Sequence, residues 1–599
     1  MKRKTLRKNI ARPKYLLPMA VCSIILSSML LGACSDNSVP SLPPGTRGPI
    51  IFESTPTDKA STTAAATTTV NRGITIDIDQ TKVLHQISPY IYGIAGTDQT
   101  TEYLQQLRPT LFRWGGNPST RYNWVLGNAW NTGRDGGFHN TNYNNPADPN
   151  TVRNVLEGSL QIAKDQNAPM LVTIPTIGWV AKNSDPQYFS WQVPDLGAVP
   201  DKPGSQAIIG YDPTANRQRT SVISKATKGA PFVFQPNPDS TTIYQDELIA
   251  RLVKELGRAD QGGVKFYAMD NEPELWSTTH TDVHPTRMGY DDILNQFLEY
   301  SSAVKAVDPT AQIAGPTTSG WTYYFNSELD RGNDNFRTAA DRKAHNDMAF
   351  LPWFLSKVRE YDEKVGYRTL DILDIHYYPQ ASGVFAGDTG TNANDLRLNA
   401  VRSLYDPNYV DESWIAQRIR LIPMMYEWIN QYYPGTKLAI NEWNFGADHT
   451  LNGGLAIANA LGIFGRYNLY MASYWQSPDS NGAGFQAFKM YTNFDGNGTR
   501  FGDQALDAKS SSPLYIASYA ALNSTTGHMQ IMLINNKPGR NVTVTVQLAK
   551  AIAEQDADVY ELSANTNDRL AKQTPLKITG DNFPVSLPGY SAILIDLKP

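Results

Sequence analysis

The sequence predicts an α/β protein: a (β/α)8 barrel of the TIM type, with a β-sandwich formed by the C-terminal segment and one N-terminal strand. Three observations predict it. Across residues 89–510, eight short apolar runs alternate with amphipathic stretches whose apolar residues recur every three or four positions. Most of the runs are continuously apolar, as strands buried on both faces are. From 511 to 599 the helical periodicity stops, and alternating strands separated by turn residues take over.

At 599 residues the chain can hold one large and one smaller domain. It opens on a basic cluster, MKRKTLRKNIARPK, followed by the apolar run YLLPMAVCSIILSSMLLGAC. Residues 1–34 therefore read as an export signal. Leu31-Gly32-Ala33-Cys34 resembles a bacterial lipobox, in which the Cys34 thiol receives a lipid. The alternative is an uncleaved membrane anchor, but the run is short for a span and is broken by Pro18, Ser23, Ser27 and Ser28. Either reading places the protein outside the cytoplasm, anchored to the cell envelope or secreted. The other cysteine, Cys22, lies inside the signal, so no disulfide is expected. Residues 35–72 are rich in Pro, Ser, Thr and Ala and read as a disordered linker. ITIDIDQ, within 73–88, alternates and is expected to join the sandwich.

The eight runs begin at Tyr90, Thr110, Pro169, Val264, Ala311, Leu370, Lys437 and Leu469. YDDILNQFLEYSSAVKAV and LAIANALGIFGRYNL are among the helical segments between them. Polar and aromatic residues gather at the C-terminal ends of the runs: RWGGN, TIPT, DNEP, GPTT, HYYP, NEWN and YWQ. In a barrel these ends converge on the catalytic face. The stretch from about Val180 to Thr241, rich in Pro, Asp, Asn and Gln, is long enough to wall a groove. The net charge of -4 carries no basic excess for nucleic acid. Aromatics make up 11% of the chain; rings fill cores, and they also stack on sugar faces.

Two strand-end carboxylates define the chemistry. Glu272 ends the fourth run and Glu442 the seventh, so they can flank one bond across the barrel mouth. Glycosidic hydrolysis needs one carboxyl to protonate the leaving oxygen and a second to attack the anomeric carbon or activate water. A separation of about 5–5.5 Å would make the second a nucleophile. Arg113 on the second strand is a fitting partner for the ionised member, and Tyr377 is a candidate hydroxyl donor to it. Asn271 is placed to hydrogen-bond the sugar 2-OH. Trp475 is a candidate floor under the scissile sugar, and Trp124, Trp179 and Trp321 are candidate platforms in an open groove. Each has a plainer reading: a strand-end Glu is more often a loop anchor, and Trp475 or Trp114 can plug a barrel. His376 reads equally as a core histidine or a substrate contact. His280 and His284, four apart in THTDVHP, have a zinc-like spacing but sit in loop composition without an obvious third ligand. Asp495, Asn497 and Asp503 resemble a calcium loop, though DGNG reads better as a turn.

DNEPELWSTTHTDVHP, FRWGGNPSTRYNW, LDILDIHYYP, NEWN, LGIFGRYNLYMASYW and AFKMYTNFDGNGTRFGD together resemble glycoside hydrolase family 44, from about Ile87 to Asp503. The resemblance implies a barrel with a sandwich built from both termini. It implies retaining endo-hydrolysis of β-1,4-glucans such as carboxymethylcellulose and xyloglucan, with some members acting on xylan or mannans. It makes Glu272 the acid/base and Glu442 the nucleophile. It requires no cofactor, though structural calcium or zinc occurs in some members; the resemblance assigns no metal ligands in this chain. The family's nucleophile motif is nearer Thr-Glu-Tyr, whereas this chain has Asn441-Glu442-Trp443-Asn444-Phe445, a difference that bears on the adjoining subsites. A monomer is expected, acting on a β-linked polysaccharide and tethered to a membrane by its N-terminal lipid. The rival readings are a β-mannanase or xylanase on the same barrel, a non-catalytic glycan-binding lipoprotein, and a structural envelope protein.

Overall fold

The structure, a computed structural model, describes residues 73–143, 154–186, 188, 211–212, 217–218 and 220–599. The signal with Cys34, the linker 35–72 and much of 187–219 lie outside the described residues. Among the described residues no helix is long and apolar enough to cross a membrane.

Strand β1 (Ile74–Gln86) precedes eight parallel strands. These are β2 (Tyr90–Ala95), β3 (Leu111–Trp114), β4 (Met170–Ile174), β5 (Phe266–Met269), β6 (Gln312–Thr318), β7 (Ile372–Tyr377), β8 (Lys437–Trp443) and β9 (Met471–Tyr474). They pair in sequence order and close into a barrel through β9 and β2. Each coincides with one of the eight apolar runs. The runs are apolar throughout because both faces are buried. On β5, Phe266 and Ala268 join Leu111, Leu171, Ile372 and Met471 inside the barrel, while Tyr267 and Met269 pack outward on the helices.

The inner layer turns polar toward the C-terminal ends. Above the apolar floor lie the buried side chains of Arg113, Thr173, Asp374, Asn441 and Ser473. On β8 the register against β7 slips by one residue, so Ile375 faces Ile440 but His376 faces Glu442. The bulge at Asn441 breaks the period of two. It lets Glu442 sit at the barrel mouth while Trp443 stays in the outer core.

After the barrel come β10 (Gln504–Ser510), β11 (Ile516–Leu522), β12 (Met529–Asn535), β13 (Val542–Ser563), β14 (Ala571–Lys572), β15 (Leu576–Leu587) and β16 (Ser591–Leu597). With β1 they form an eight-stranded sheet. The sheet begins at Gln504, seven residues before the boundary expected at 511, because QALDAKS buries Ala505, Leu506 and Ala508 despite its charged residues. The 22-residue β13 pairs along its first half with β1 and along its second half with β16, so the sheet rolls onto itself. Ile76, Ile531, Leu533, Val546 and Ile595 fill the space between its layers. Met532, Ile534 and Leu594 face the other way, into the core shared with the barrel helices. β12 and β16 are thus buried on both faces.

Ile76 is fully buried between two partner strands. Ile76→Ala should lower unfolding stability by about 2–5 kcal/mol. A urea-unfolding midpoint equal to that of the unsubstituted protein would show that β1 contributes nothing to the sandwich core.

Candidate active site

The stretch Asp270-Asn271-Glu272-Pro273 breaks out of β5 abruptly. Asp270 and Glu272 both adopt left-handed backbone, with φ of 68° and 44°. Such conformations cost about 1–3 kcal/mol each for side chains of this kind. The buried Asp270 carboxylate holds the turn. It accepts from Thr120 Oγ1 at 2.7 Å, from the Thr176 backbone N–H at 2.5 Å and from the Asn271 N–H at 2.9 Å. Burial still pushes its pKa up to about 6. The Glu272 N–H donates to the Thr317 carbonyl at 3.1 Å, tying the turn to β6.

Arg113, fully buried at the end of β3, organises what lies opposite. Its Nη1 donates to Glu442 Oε1 at 2.5 Å, and its Nη2 donates to Asn271 Oδ1 at 2.7 Å. The next two residues after Trp114 are glycines for steric reasons. A Cβ on Gly115 would lie 2.6 Å from the guanidinium, and one on Gly116 (φ 85°) would lie 2.4 Å from the Trp475 ring. That ring stands with its centroid 5.7 Å from the Arg113 guanidinium carbon.

His376 sits between the two carboxylates. Its Nδ1 is 2.8 Å from Glu272 Oε1 and 3.4 Å from Glu442 Oε2, and its Nε2 is 3.5 Å from Arg113 Nη2. Because the guanidinium can only donate, Nε2 accepts and Nδ1 carries the proton. Burial lowers the imidazole pKa, in keeping with a neutral ring. An oxygen from each carboxyl and a His376 nitrogen lie within 4.8 Å of one another. That spacing would also suit a cation. Here Arg113 and Tyr378 already engage both oxygens of Glu442, and a buried guanidinium repels positive charge.

The two carboxyls are driven apart. Burial, and then the charge of Glu442, raise the Glu272 pKa well above the ordinary range. Burial also opposes ionisation of Glu442, but the Nδ1–H of His376, the Arg113 charge and the Tyr378 hydroxyl outweigh it and leave the group below its ordinary value. One protonated and one ionised carboxyl is the pairing that acid-assisted displacement requires.

The hydroxyl on Glu442 belongs to Tyr378, not to the expected Tyr377. Tyr378 donates to Oε2 at 2.7 Å. Tyr377 is buried in the outer core with its ring 6.2 Å from that of Phe445. The reason is the strand period of two: Ile372, Asp374 and His376 face inward, so Tyr377 faces outward and Tyr378 inward. Trp124 is likewise not a platform: it is 3% exposed and its Nε1 donates to the Tyr244 carbonyl at 3.1 Å. Trp179, Trp321 and Trp475 are half-buried. His280 is fully buried, and the His284 ring packs 5.5 Å from Trp276; neither belongs to a three-ligand cluster among the described residues. Asp495 closes its own turn on Asn497 and Thr499, while Asp503 bonds Ser524.

Four further residues at the site carry no signal in the sequence that singles them out. Asn117 donates from Nδ2 to Asp135 Oδ2 at 2.9 Å and accepts from Asn271 Nδ2 at 3.2 Å. Glu274, buried, accepts from the Ser319 N–H at 2.5 Å, and burial, with the neighbouring Glu272 carboxyl next in effect, pushes its pKa up to about 7. Trp414, 62% exposed, donates from Nε1 to Gln380 Oε1 at 3.3 Å on the segment after β7.

The family model described as Glycoside hydrolase family 44 matches residues 129–381. Endoglucanase A of Paenibacillus lautus is 31% identical over 566 residues, spanning 90% of this chain and 74% of that protein. Two solved structures superpose at a TM-score of 0.77 over 88% of this chain. One is CelM2, a bifunctional glucanase-xylanase from a metagenome library, 33% identical with 99% of that chain covered. The other is a Paenibacillus polymyxa xyloglucanase, 29% identical and fully covered.

The outward and inward tyrosines separate in a simple test. Tyr378→Phe removes a hydrogen bond to a charged group, worth about 1.5–3 kcal/mol, so kcat/KM should fall about 10- to 100-fold. Tyr377→Phe should stay within about twofold, and equal losses in the two variants would contradict this geometry.

Proposed function

This chain belongs to glycoside hydrolase family 44, and from that premise we propose that it cleaves β-1,4-glucan backbones internally, with retention, by double displacement. The observation that carries the reading is the pair of oppositely tuned carboxyls whose oxygens approach within 4.8 Å. That matches the short separation of retaining enzymes and leaves too little room for the interposed water of inverting ones. Glu442, ionised on Arg113 and Tyr378, attacks the anomeric carbon. Glu272, protonated, gives its proton to the leaving oxygen and then, as a base, activates the water that hydrolyses the glycosyl-enzyme. His376 donates from Nδ1 to Glu272, beside Glu442, and Asn271 meets the sugar 2-OH. Trp475 underlies the scissile sugar, and Trp179, Trp321 and the exposed Trp414 serve as platforms along the groove.

Cellulose derivatives and xyloglucan are the first backbones to test, as the names of the Paenibacillus relatives suggest; xylan follows from CelM2. New reducing ends on a β-1,4-glucan, abolished in Glu442→Gln, are the expected result. Release of none from folded protein would favour a binding protein. Product anomers followed by NMR should show retention.

The rate should rise as pH climbs through the lowered pKa at Glu442 and fall above the raised pKa at Glu272, with both limbs belonging to the coupled pair. Glu272→Gln, assayed on an aryl glycoside whose leaving group needs no proton, should keep bond cleavage and lose the alkaline limb. An unchanged alkaline limb would remove Glu272 from the acid role.

The lipobox-like Leu31-Gly32-Ala33-Cys34 supports a lipid on Cys34 that holds the enzyme at the cell envelope. Fatty-acid labelling should mark the unsubstituted protein and not Cys34→Ala; equal labelling would rule out that attachment.

A further inference from the structure

We infer that Asp135, on a loop outside the barrel, is a positioning residue that sets the orientation of the Asn271 amide through Asn117. The inference rests on the reading above, in which Asn271 meets the sugar 2-OH. Asp135 lies in the short turn Gly133–Gly136, within the segment between β3 and β4. Four side chains form one file. Arg113 Nη2 donates to Asn271 Oδ1 at 2.7 Å, Asn271 Nδ2 donates to Asn117 Oδ1 at 3.2 Å, and Asn117 Nδ2 donates to Asp135 Oδ2 at 2.9 Å. The other arm of the guanidinium holds Glu442.

The two amides in the middle are nearly symmetric in shape. Each can turn over, exchanging oxygen for nitrogen, with almost no change in volume. The ends of the file prevent it. A guanidinium only donates and a carboxylate only accepts, so one direction is allowed for every bond between them. Asn271 then has its oxygen committed to Arg113. Its nitrogen carries two hydrogens, one for Asn117 and one left for the substrate. Without Asp135, Asn117 is free to turn its NH2 toward that of Asn271, donor against donor. Asn271 would then no longer hold its second hydrogen on the 2-OH, an interaction that strengthens in the transition state. The cost therefore falls on kcat.

The test uses an aryl β-cellotrioside and its analogue lacking the 2-hydroxyl on the ring joined to the aryl group. On the parent substrate, Asp135→Ala should lower kcat about 10- to 100-fold with KM within about threefold. On the 2-deoxy analogue the loss should be under about threefold, because the hydroxyl that Asn271 would meet is already missing. Asp135→Asn should restore only part of the rate, since its amide can offer Asn117 either its oxygen or its NH2 and no longer fixes one direction for the file. Asn117→Ala breaks the same file elsewhere, should repeat the selective loss, and decides the matter if Asp135→Ala does not fold. Equal losses on both substrates, or none on either, while Asn271→Ala keeps a selective loss, would overturn the role of Asp135 alone. Equal losses in Asn271→Ala would overturn the 2-OH interaction and this inference with it. A wild type that cleaves neither substrate nor any β-1,4-glucan would overturn the underlying reading of the site.

Discussion

One buried cation, the Arg113 guanidinium, underlies the arrangement of the barrel mouth. A fully buried charge is costly unless its hydrogens find acceptors. Glu442 and Asn271 meet that demand directly, and the face of Trp475 adds its π-electrons. The consequences spread outward. Gly115 and Gly116 lack side chains because any Cβ there would collide with the guanidinium or the indole. Glu442 is ionised because of the guanidinium and its neighbours, and Glu272 holds its proton partly because Glu442 is ionised. Ion pairs taken out of water rarely add much stability. This one yields a difference in acidity between two otherwise identical side chains.

Glu272 is reached through backbone that ordinary residues avoid. The Asp before Asn-Glu supplies the compensation, since its carboxylate gathers donors from two neighbouring segments and from the N–H of the next residue. Strain at residues 270 and 272 is therefore held locally, by the hydrogen bonds of the Asp270 carboxylate. The motif is a mechanical unit as well as a chemical one.

The order and position of the eight barrel strands are legible in the sequence because burial on both faces writes itself as an unbroken apolar run. Glu272 and Glu442 are legible because they close such runs. The inward tyrosine is also written there, in a less obvious form: Asp374 and His376 alternate with Leu373 and Ile375, which gives Tyr378 the inward parity. The burial of Trp124 has no local signal, because a loop tryptophan is covered by segments distant in sequence. Asn117 and Asp135 are hidden for the same reason: they act within a chain of hydrogen bonds that only the folded loops assemble. The early start of the sandwich is masked because Asp507 and Lys509 interrupt the apolar pattern of β10.

β1 enters the rolled sheet between β10, with which it runs antiparallel, and β13, with which it runs parallel. A pull on the chain from its N-terminal side would act along the strand axis at Ile74. Both ladders would then be loaded in shear, with many hydrogen bonds resisting at once instead of opening one by one like a zip. The barrel, which begins only at Tyr90, would lie beyond the loaded bonds. β1 is therefore a mechanical clamp: force arriving at Ile74 would be met by the sandwich before it reached the mouth of the barrel.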